Sequence, residues 1–349
     1  MNTKKTKKDF FQIDNPVQLQ NRRYIGNKYK LSNWIFSIID KECSGNSFAD
    51  IFAGTGVVSA EANERYKKII LNDFLYSNYA IYRAFFDKKK WDQAKMFKII
   101  KKYNSIKSKD IKENYFSKNL GGKFFSNASA KIIGFVREDI EKNKKSFSEK
   151  EYYILIASLL YSADRLANTV GHYDAYVQNN DCIKKPFLMR LIEPVKTNKI
   201  DIYREDANLL AKKIKADIVY LDPPYNSRQY SRFYHVLETL TKWDKPRLYG
   251  VALKPPTENV SEYCKVKAPE KFSDLIQSLT CKYIVVSYNN TYNSRSNSSR
   301  NKIQLEQIEN ILNSKGSTKI FNKSHRYFNS GNTNFDDHQE YIFITKVKK

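Results

Sequence analysis

Four residues in the second half of the chain have side chains and positions suited to chemistry on an amino group. Asp222, Pro223, Pro224 and Tyr225 directly follow the apolar run 216–221. Two successive prolines continue neither a strand nor a helix, so the chain must turn sharply here. The turn offers a carboxylate and a prolyl carbonyl as hydrogen-bond acceptors and an aromatic ring as a stacking surface. Together they fit the exocyclic amine of a planar base.

A second candidate segment lies near the N-terminus and reads Asp-Ile-Phe-Ala-Gly-Thr-Gly over Asp50–Gly56. Glycines after a first strand let the backbone approach a ligand closely. The third glycine of the dinucleotide fingerprint is absent, because Ser59 stands in its place. Asp73 ends the next apolar run, where a carboxylate can hold ribose hydroxyls, and Asp50 can bind an ammonium group. These features favour a nucleoside with a cationic amino-acid end over a pyrophosphate.

A parallel sheet is needed to bring these two segments together. The carboxyl ends of parallel strands meet at one edge of a sheet, and ligands bind there in open α/β folds. The sequence therefore predicts an α/β fold with a doubly wound, mostly parallel sheet. Its predicted strands are 47–52, 69–71, 200–203, 216–221 and 282–287, followed by a closing hairpin of 321–327 and 340–347, with helices at 31–43, 57–66, 151–167 and 233–240.

The middle of the chain interrupts this alternation of strands and helices. Residues 84–150 hold 18 Lys or Arg against 8 Asp or Glu, with aromatic residues interspersed. We therefore expect an inserted, largely helical domain over 86–195. The catalytic domain is predicted to consist of 22–85 and 196–349, and residues 1–21 are predicted to form a loose basic arm.

The charge of the chain bears on its partners. Lys and Arg number 61 against 37 Asp and Glu, which gives a net charge of +24. Such an excess points to a polyanion, most often nucleic acid, although a Lys-rich proteome encoded by an A·T-rich genome would produce it too. The four cysteines lie far apart, which argues against a disulfide framework or zinc site. With no apolar run of about 18 residues and no secretory signal, a cytoplasmic location is expected.

Three motifs, in this order, resemble the D12 class of DNA methyltransferases, which methylate adenine at N6. Residues 23–31 are similar to the N-terminal cofactor motif of that class, Asp50–Gly56 to its S-adenosylmethionine loop, and Asp222–Tyr225 to its catalytic motif. The resemblance extends over about residues 20–345. It implies a Rossmann-like methyltransferase fold, S-adenosylmethionine as cofactor, double-stranded DNA as partner and no metal. It also implies a target-recognition domain in the insertion and a restriction-modification system with a cognate endonuclease.

The resemblance further implies roles for individual residues. Tyr24 and Lys28 are expected at the methionine end of the cofactor, with Lys28 near its carboxylate. Asp206 is expected at the cofactor's adenine amino group, with the adjacent Glu205 as the alternative. The expected catalytic residues are Asp222, Pro223, Pro224 and Tyr225, and the expected cofactor-binding residues are Tyr24, Gly26, Asn27, Lys28, Asp50, Phe52, Ala53, Gly54, Thr55, Gly56, Asp73 and Asp206.

DNA contacts are expected from residues outside the motifs. Arg228 and Arg232 follow the catalytic turn and are predicted to hold phosphates beside the target base. Asn168 and His172 lie in a glycine-containing turn and are predicted either to orient that turn or to touch DNA. His235 is predicted to pack in its helix. Adenine N6 is paired inside a duplex, so the reaction requires a flipped base.

Four other functions compete with this interpretation. Methylation of RNA stays open, and methylation of a protein glutamine is disfavoured because such enzymes typically carry Asn at the position of Asp222. Methylation of cytosine N4 usually goes with Ser at that position. An inactive DNA-binding subunit would keep the fold without turnover, but the cofactor and catalytic motifs are both complete. The sequence therefore favours an active adenine-N6 DNA methyltransferase.

Overall fold

The computed structural model describes residues 16–178, 185–291, 300–324 and 338–348. Within these ranges, seven strands form one sheet in the order β3-β2-β1-β4-β5-β7-β6. The first five strands are parallel, and β7 runs antiparallel to both β5 and β6. The strands are β1 (Ser47–Asp50), β2 (Lys68–Asn72), β3 (Lys199–Tyr203), β4 (Ile218–Leu221), β5 (Tyr283–Asn289), β6 (Gly316–Ser324) and β7 (Gln339–Val347).

The strand order places the two sequence motifs side by side. Strands β1 and β4 are neighbours, and the chain winds outward from them in opposite directions, toward β3 on one side and β6 on the other. A crevice forms at such a switch point, outside the carboxyl ends of the strands. Asp50 ends β1 and Asp222 follows β4, so both lie at this crevice. The predicted fold class is thus confirmed.

Hydrophobic clusters pack on both faces of the sheet, and all four residues of the central strand β4 are buried. None of the helices in the described ranges is long and apolar enough to cross a membrane. The helices are α1 (Ser32–Glu42), α2 (Val57–Asn63), α3 (Tyr76–Phe86), α4 (Gln93–Asn104), α5 (Tyr115–Leu120), α6 (Asn127–Lys142), α7 (Glu149–Leu166), α8 (Ala207–Ala211), α9 (Tyr230–Phe233), α10 (His235–Lys242), α11 (Ala268–Ser278) and α12 (Leu305–Lys315).

The N-terminal arm differs from the prediction of a loose segment over 1–21. Residues 1–15 lie outside the described residues, but the remainder of the arm is packed. Val17 is buried and forms a parallel bridge with Ile192, and the backbone carbonyl of the buried Leu19 accepts a hydrogen bond from Tyr161 Oη at 2.7 Å. Two apolar side chains at alternating positions therefore bind this part of the arm to the helical region.

Two other elements differ from their predicted bounds. The helix predicted over 233–240 is divided at Tyr234, which leaves the helical conformation between α9 and α10. Its hydroxyl oxygen accepts a hydrogen bond from the Ile25 backbone N–H at 2.8 Å, so the break serves the N-terminal motif. Strand β6 begins at Gly316, before the first arm of the predicted hairpin, 321–327. The last residues of that predicted arm lie outside the described residues.

The range predicted as an insertion, 86–195, contains four helices, α4 to α7, followed by described residues without helix from 167 to 178 and from 185 to 195. Its buried side chains join those of α3 and α10 in one hydrophobic cluster. Phe124 and Leu155 of the insertion are members, together with Phe85 of α3 and Leu237 of α10. The insertion therefore packs against the sheet-covering helices through a shared core.

Candidate active site

A cleft at the carboxyl ends of β1, β2 and β4 collects most of the predicted site residues. The cleft is continuous from the glycine turn after β1 to the proline turn after β4. The predicted residues that line it are Tyr24, Gly26, Lys28, Asp50, Phe52, Ala53, Gly54, Thr55, Asp73, Asp206, Asp222, Pro223, Pro224 and Tyr225.

Asp50 is a buried carboxylate at the floor of the cleft. One of its oxygens, Oδ2, accepts a hydrogen bond from Ser59 Oγ at 2.7 Å. The other, Oδ1, has no hydrogen-bond partner among the described residues. Burial raises the pKa of Asp50 to about 8, and the nearby Asp222 and Asp73 carboxylates act in the same direction. Because an unpartnered buried carboxylate is costly, this position suits a cationic ligand group.

The turn after β1 depends on its two glycines. Gly54 and Gly56 have φ angles of +54° and +79°, in the left-handed region that favours glycine. A Cβ atom at Gly54 would lie 3.2 Å from the Tyr24 ring. Asp73 fixes this turn, because its carboxylate accepts hydrogen bonds from the backbone N–H groups of Gly54 and Leu75, both at 2.9 Å. Asp73 therefore shapes the turn as well as lining the cleft.

Asp222 is held at the mouth of the cleft by a cation and a hydroxyl. Lys28 Nζ lies 3.0 Å from each carboxylate oxygen, and Tyr225 Oη donates a hydrogen bond to Oδ1. Burial raises the pKa of Asp222, although Lys28 and Tyr225 oppose the shift. The resemblance implied that Lys28 lies near the cofactor's carboxylate, whereas the structure places its ammonium on Asp222. Lys28 thus holds the catalytic turn, and its expected place near the cofactor's carboxylate remains a prediction.

The Tyr225 ring is fixed on two sides. It meets the Tyr288 ring edge-on, with centroids 4.8 Å apart, and Lys28 Nζ lies 4.9 Å from its centroid. Burial, with the negative charge of Asp222, raises the pKa of the Tyr225 hydroxyl well above its usual value. The phenol therefore keeps its proton near neutral pH and is suited to packing and hydrogen bonding, not to service as a base.

Other predicted cofactor residues hold the backbone around the cleft. Asp206 caps the N-terminus of α8, where its side chain accepts hydrogen bonds from the N–H groups of Asn208 and Leu209 at 3.0 and 3.1 Å, and it also lines the cleft. Asn27 and Gly56 are not among the described residues that line the cleft. Asn27 Oδ1 accepts from the Tyr29 N–H at 3.0 Å. These two residues shape the turns on which the lining residues stand.

Aromatic residues that sequence reasoning missed complete the lining. Tyr24 stacks on Tyr234 with centroids 4.7 Å apart, and Tyr230 packs beside both rings. Tyr263 meets Phe52 edge-on at 5.1 Å and lines the same cleft. Tyr230 follows the catalytic turn closely in the chain, so its place beside the cleft could have been predicted from the sequence. Tyr263 comes from a segment between α10 and α11 with little regular structure, where no periodicity indicates it.

The two arginines after the catalytic turn are half-buried. Arg232 Nη1 donates a hydrogen bond to the Pro255 carbonyl at 2.8 Å. The Arg228 guanidinium lies 5.6 Å from the centroid of the Phe233 ring, on which His172 also stacks at 4.6 Å. Their predicted contact with phosphates remains a prediction, but both arginines are anchored beside the cleft.

Asn168 and His235 are internal. Asn168 is 2% exposed, and its Nδ2 donates to the carbonyls of Lys123 and Val177 at 3.1 and 2.7 Å. Of the two predicted roles, this geometry supports orienting the turn, and contact of Asn168 with DNA remains a prediction. His235 Nε2 lies 3.0 Å from the Tyr173 carbonyl, and burial lowers the pKa of His235 to about 4. The expectation that His235 packs agrees with this placement.

Metal ligands do not converge in the described ranges, where no three His, Cys, Asp or Glu side chains are grouped so as to hold an ion. The acidic side chains at the cleft instead contact Lys28, Ser59 and backbone N–H groups. This donor set suits a cationic organic ligand.

Comparison with known proteins gives a consistent result. Residues 24–290 match the profile of the D12 class N6 adenine-specific DNA methyltransferases. The chain is 32% identical over 342 residues to the type II methyltransferase M.NlaIII of Neisseria lactamica, covering 92% of this chain and 98% of that protein. It is 30% identical to the type II methyltransferase M.FokI of Planomicrobium okeanokoites, covering 92% of this chain but 52% of that protein, and so spans about half its length.

Solved structures of methyltransferases are distantly similar, for example one of a porphyrin methyltransferase. The magnesium protoporphyrin IX methyltransferase ChlM of Synechocystis PCC 6803, with bound SAH, has a TM-score of 0.35 and 8% identity, covering 91% of this chain and 83% of that chain. The strand order described above, and not this likeness, identifies the fold.

Proposed function

Because the chain belongs to the D12 class of N6-adenine-specific DNA methyltransferases, we propose that it methylates an adenine flipped out of a specific site in duplex DNA, as the modification half of a restriction-modification pair. The family, the enzymatic activity and the cofactor predicted from the three motifs are confirmed by this membership. The observation that carries the proposal is that the catalytic turn and the glycine turn open into one cleft, with Lys28 bonded to Asp222. The type II relatives support the link to restriction.

The residues of the cleft fit S-adenosylmethionine, which supplies an activated methyl group on a sulfonium centre. The unpartnered Oδ1 of Asp50 matches the ammonium of the methionine end. Gly54 leaves room where a side chain would meet the Tyr24 ring. Asp73 and Asp206 each line the cleft with a carboxylate that also accepts backbone hydrogen bonds, and they are the residues we assign to the ribose and the adenine amino group.

Asp222 and Pro223 are proposed to hold the target amine. The Asp222 carboxylate and the Pro223 carbonyl accept hydrogen bonds from the N6 amino group, which orients the nitrogen for in-line attack. Lys28 fixes the carboxylate, so most of the catalytic effect comes from positioning. The nucleophile belongs to the substrate, so no covalent enzyme intermediate is required.

Proton removal also falls to Asp222. The amine loses a proton once its nitrogen has bonded to the methyl group, and Asp222 is the carboxylate in reach. Burial raises its pKa, which makes it a better proton acceptor than an exposed aspartate. Tyr225 retains its own proton and contributes its ring to the stacking of the flipped base.

Site recognition is proposed to lie in residues 86–195, with Arg228 and Arg232 holding phosphates beside the flipped base. Phosphate contacts position a protein on DNA, whereas contacts to base edges specify the sequence. The segment carries a net positive charge, and its helices pack against the helices beside the cleft through a shared core. Because its substrate is DNA, we also propose that the protein works in the compartment that holds the DNA, which in a bacterium is the cytoplasm.

Two experiments test these proposals. A fluorescent base analogue at the target position should brighten when the protein binds, because a flipped base leaves its stacked neighbours; an unchanged signal would contradict base flipping. Exchanging residues 86–195 for the equivalent segment of a relative with another site should transfer that relative's site. If the methylated sequence stayed the same, recognition would lie elsewhere in the chain.

A further inference from the structure

Glu340, the second residue of β7, is a third carboxylate at the carboxyl edge of the sheet. It pairs with Asn289 of β5, beyond the level at which Leu221 of β4 pairs with Val286. It lies on the same sheet face as Ile342 and Ile344, because side chains alternate along a strand. These two isoleucines join the hydrophobic cluster on the α1 side of the sheet.

Asp50 lies on the same side of the sheet as Glu340, because it shares a face of β1 with Phe48, a member of the α1-side cluster. Asp222 directly follows Leu221, the last residue of β4. Lys28 lies just before Leu31, another member of that cluster. Three carboxylates, from the ends of β1 and β7 and from the turn after β4, therefore stand at this edge of the sheet, and Lys28 Nζ lies 3.0 Å from the oxygens of one of them, Asp222.

The surroundings of Glu340 leave its carboxylate incompletely satisfied. The residue is 5% exposed, and Oε2 has no hydrogen-bond partner among the described residues. Burial raises the pKa of Glu340 to about 7; Lys28 opposes this shift and Asp222 adds to it. Its charge in turn acts on Tyr225 and Tyr220.

Two further titratable residues lie near Glu340 along β7 and across it. His338 stands two residues earlier in the chain and is buried. Lys323 is opposite Glu340 on β6, but its Nζ lies 5.9 Å from the Trp34 ring centroid. Lys28 is therefore the cation whose charge lowers the pKa of Glu340, and it is shared with Asp222.

We propose that Glu340 is a positioning residue for methyl transfer, which acts through Lys28 by attracting its ammonium in competition with Asp222. A lysine shared between two carboxylates neutralises Asp222 less completely. Asp222 then keeps more of its capacity to accept a hydrogen bond and a proton from the target amine. The inference rests on the proposed role of Asp222, and it explains why an unpartnered buried carboxylate, which costs stability, stands at this position.

The Glu340→Gln variant separates function from stability. Its single-turnover methylation rate on duplex DNA at pH 8 should fall on the order of tenfold, the effect of about one pKa unit on Asp222. The wild-type rate should rise as the pH passes through about 7, where Glu340 ionises. This rise should be absent from the variant, while its affinity for S-adenosylmethionine stays within about twofold of wild type, a change below 1.4 kcal/mol.

The Glu340→Gln substitution, which lowers the methylation rate, should raise the melting temperature. A carboxyl whose folded pKa is raised binds more protons in the folded than in the unfolded state between its two pKa values, so wild-type stability falls as the pH rises toward 7. Glu340→Gln should therefore melt several degrees above wild type at pH 8 and at the same temperature at pH 5. A residue needed only for packing would not give a slower and more stable enzyme.

Two further variants complete the test. Glu306→Gln, on the exposed side of α12, should change neither the rate nor the melting temperature. Glu340→Asp keeps the charge and should retain the rise in rate with pH. A Glu340→Gln enzyme with the wild-type rate and pH profile would overturn the inference. An inactive wild type would instead contradict the proposed function, and the melting temperatures would still test the buried charge.

Discussion

The helical insertion and the cleft both bury charged side chains, but they satisfy them differently. In the insertion, Arg137 donates hydrogen bonds to the carbonyls of Leu240 and Thr241 at 2.6 and 3.1 Å. Lys150 Nζ donates to the carbonyls of Ala84 and Asp87 at 2.6 and 2.8 Å. In the cleft, one carboxylate oxygen of Asp50 has no partner within the described ranges.

This difference distinguishes charged side chains that are buried to stabilise the fold from those that are buried to bind a ligand. Arg137 and Lys150 occupy carbonyls at the ends of α10 and α3, which a helix leaves unpaired at its C-terminus, and so join the insertion to the catalytic domain. Asp50, in contrast, leaves one buried carboxylate oxygen unpaired, which costs free energy. Such groups concentrate at sites that a ligand completes. We therefore expect substitutions in the two regions to separate activity from stability.

The largest effect is expected in the cleft. Asp222→Ala should lower the methyl-transfer rate by a factor on the order of a thousand or more, because the amine loses both its orienting group and its proton acceptor. Calorimetry should find S-adenosylmethionine affinity within a few-fold of wild type, and Asp274→Ala on the exposed side of α11 serves as the control. Loss of cofactor binding by Asp222→Ala would mean that the roles are misassigned.

In the insertion, the expected loss is of stability and not of chemistry. Arg137→Met leaves two buried carbonyls without donors and should lower the free energy of unfolding by about 3 kcal/mol. Lys142→Met, exposed on the same helix, should change it by less than about 0.5 kcal/mol. Urea unfolding measures both, and activity well below the melting temperature should persist in both variants. If Arg137→Met were as stable as Lys142→Met, the buried charge of the insertion would not be structural, and the contrast with the cleft would be contradicted.

Tyr225 tests which part of an aromatic residue the cleft uses. Tyr225→Phe should retain most activity, because it loses only the hydroxyl contacts to Asp222 and Lys28. Tyr225→Ala should lose on the order of 10–100-fold in binding or turnover, since stacking on an unpaired base contributes about 1–3 kcal/mol. If Phe were as damaging as Ala, the hydroxyl would be the active part of the residue.

The smallest expected effect is the release of a proton from Asp50 when the cofactor binds. The pKa of Asp50, about 8 in the cleft, means that its carboxyl is largely protonated at pH 7, and a bound ammonium group would draw the proton off. Cofactor binding at pH 7 should release up to about one proton, and affinity should weaken by up to about tenfold per pH unit below 8. Calorimetry in two buffers of different ionisation enthalpy measures the release. Asp50→Asn should show none; a wild type that behaved like this variant would exclude the proposed pairing.

Parts of the fold that rest on local sequence could be predicted. Strands β2, β4 and β5 each contain a short apolar run, β1 lies in the segment between Gly45 and the glycine turn, and the proline pair forces the turn at Asp222. Helix α3 was missed because it is buried on several sides and shows no simple apolar stripe. Tertiary packing also placed Tyr234 outside the helical conformation.

Site features that depend on distant contacts could not be predicted. The Lys28–Asp222 pair joins residues 194 positions apart, and no spacing rule indicates it. Glu340 lies at the start of β7, before the apolar run 341–344, and its place near Lys28 follows only from the pairing of β7 with β5. Sequence therefore located the motifs, whereas the electrostatic relations between them required the structure.

The central claim is that the cleft uses Asp222 to methylate adenine N6 at a defined DNA site. Long-read modification mapping of DNA from cells that express the wild type, with Asp222→Ala expressed in parallel, tests it most directly. We predict N6-methyladenine at one recognition sequence with the wild type and none with the variant. Methylation of cytosine, the absence of a common sequence, or equal methylation by both proteins would contradict the account.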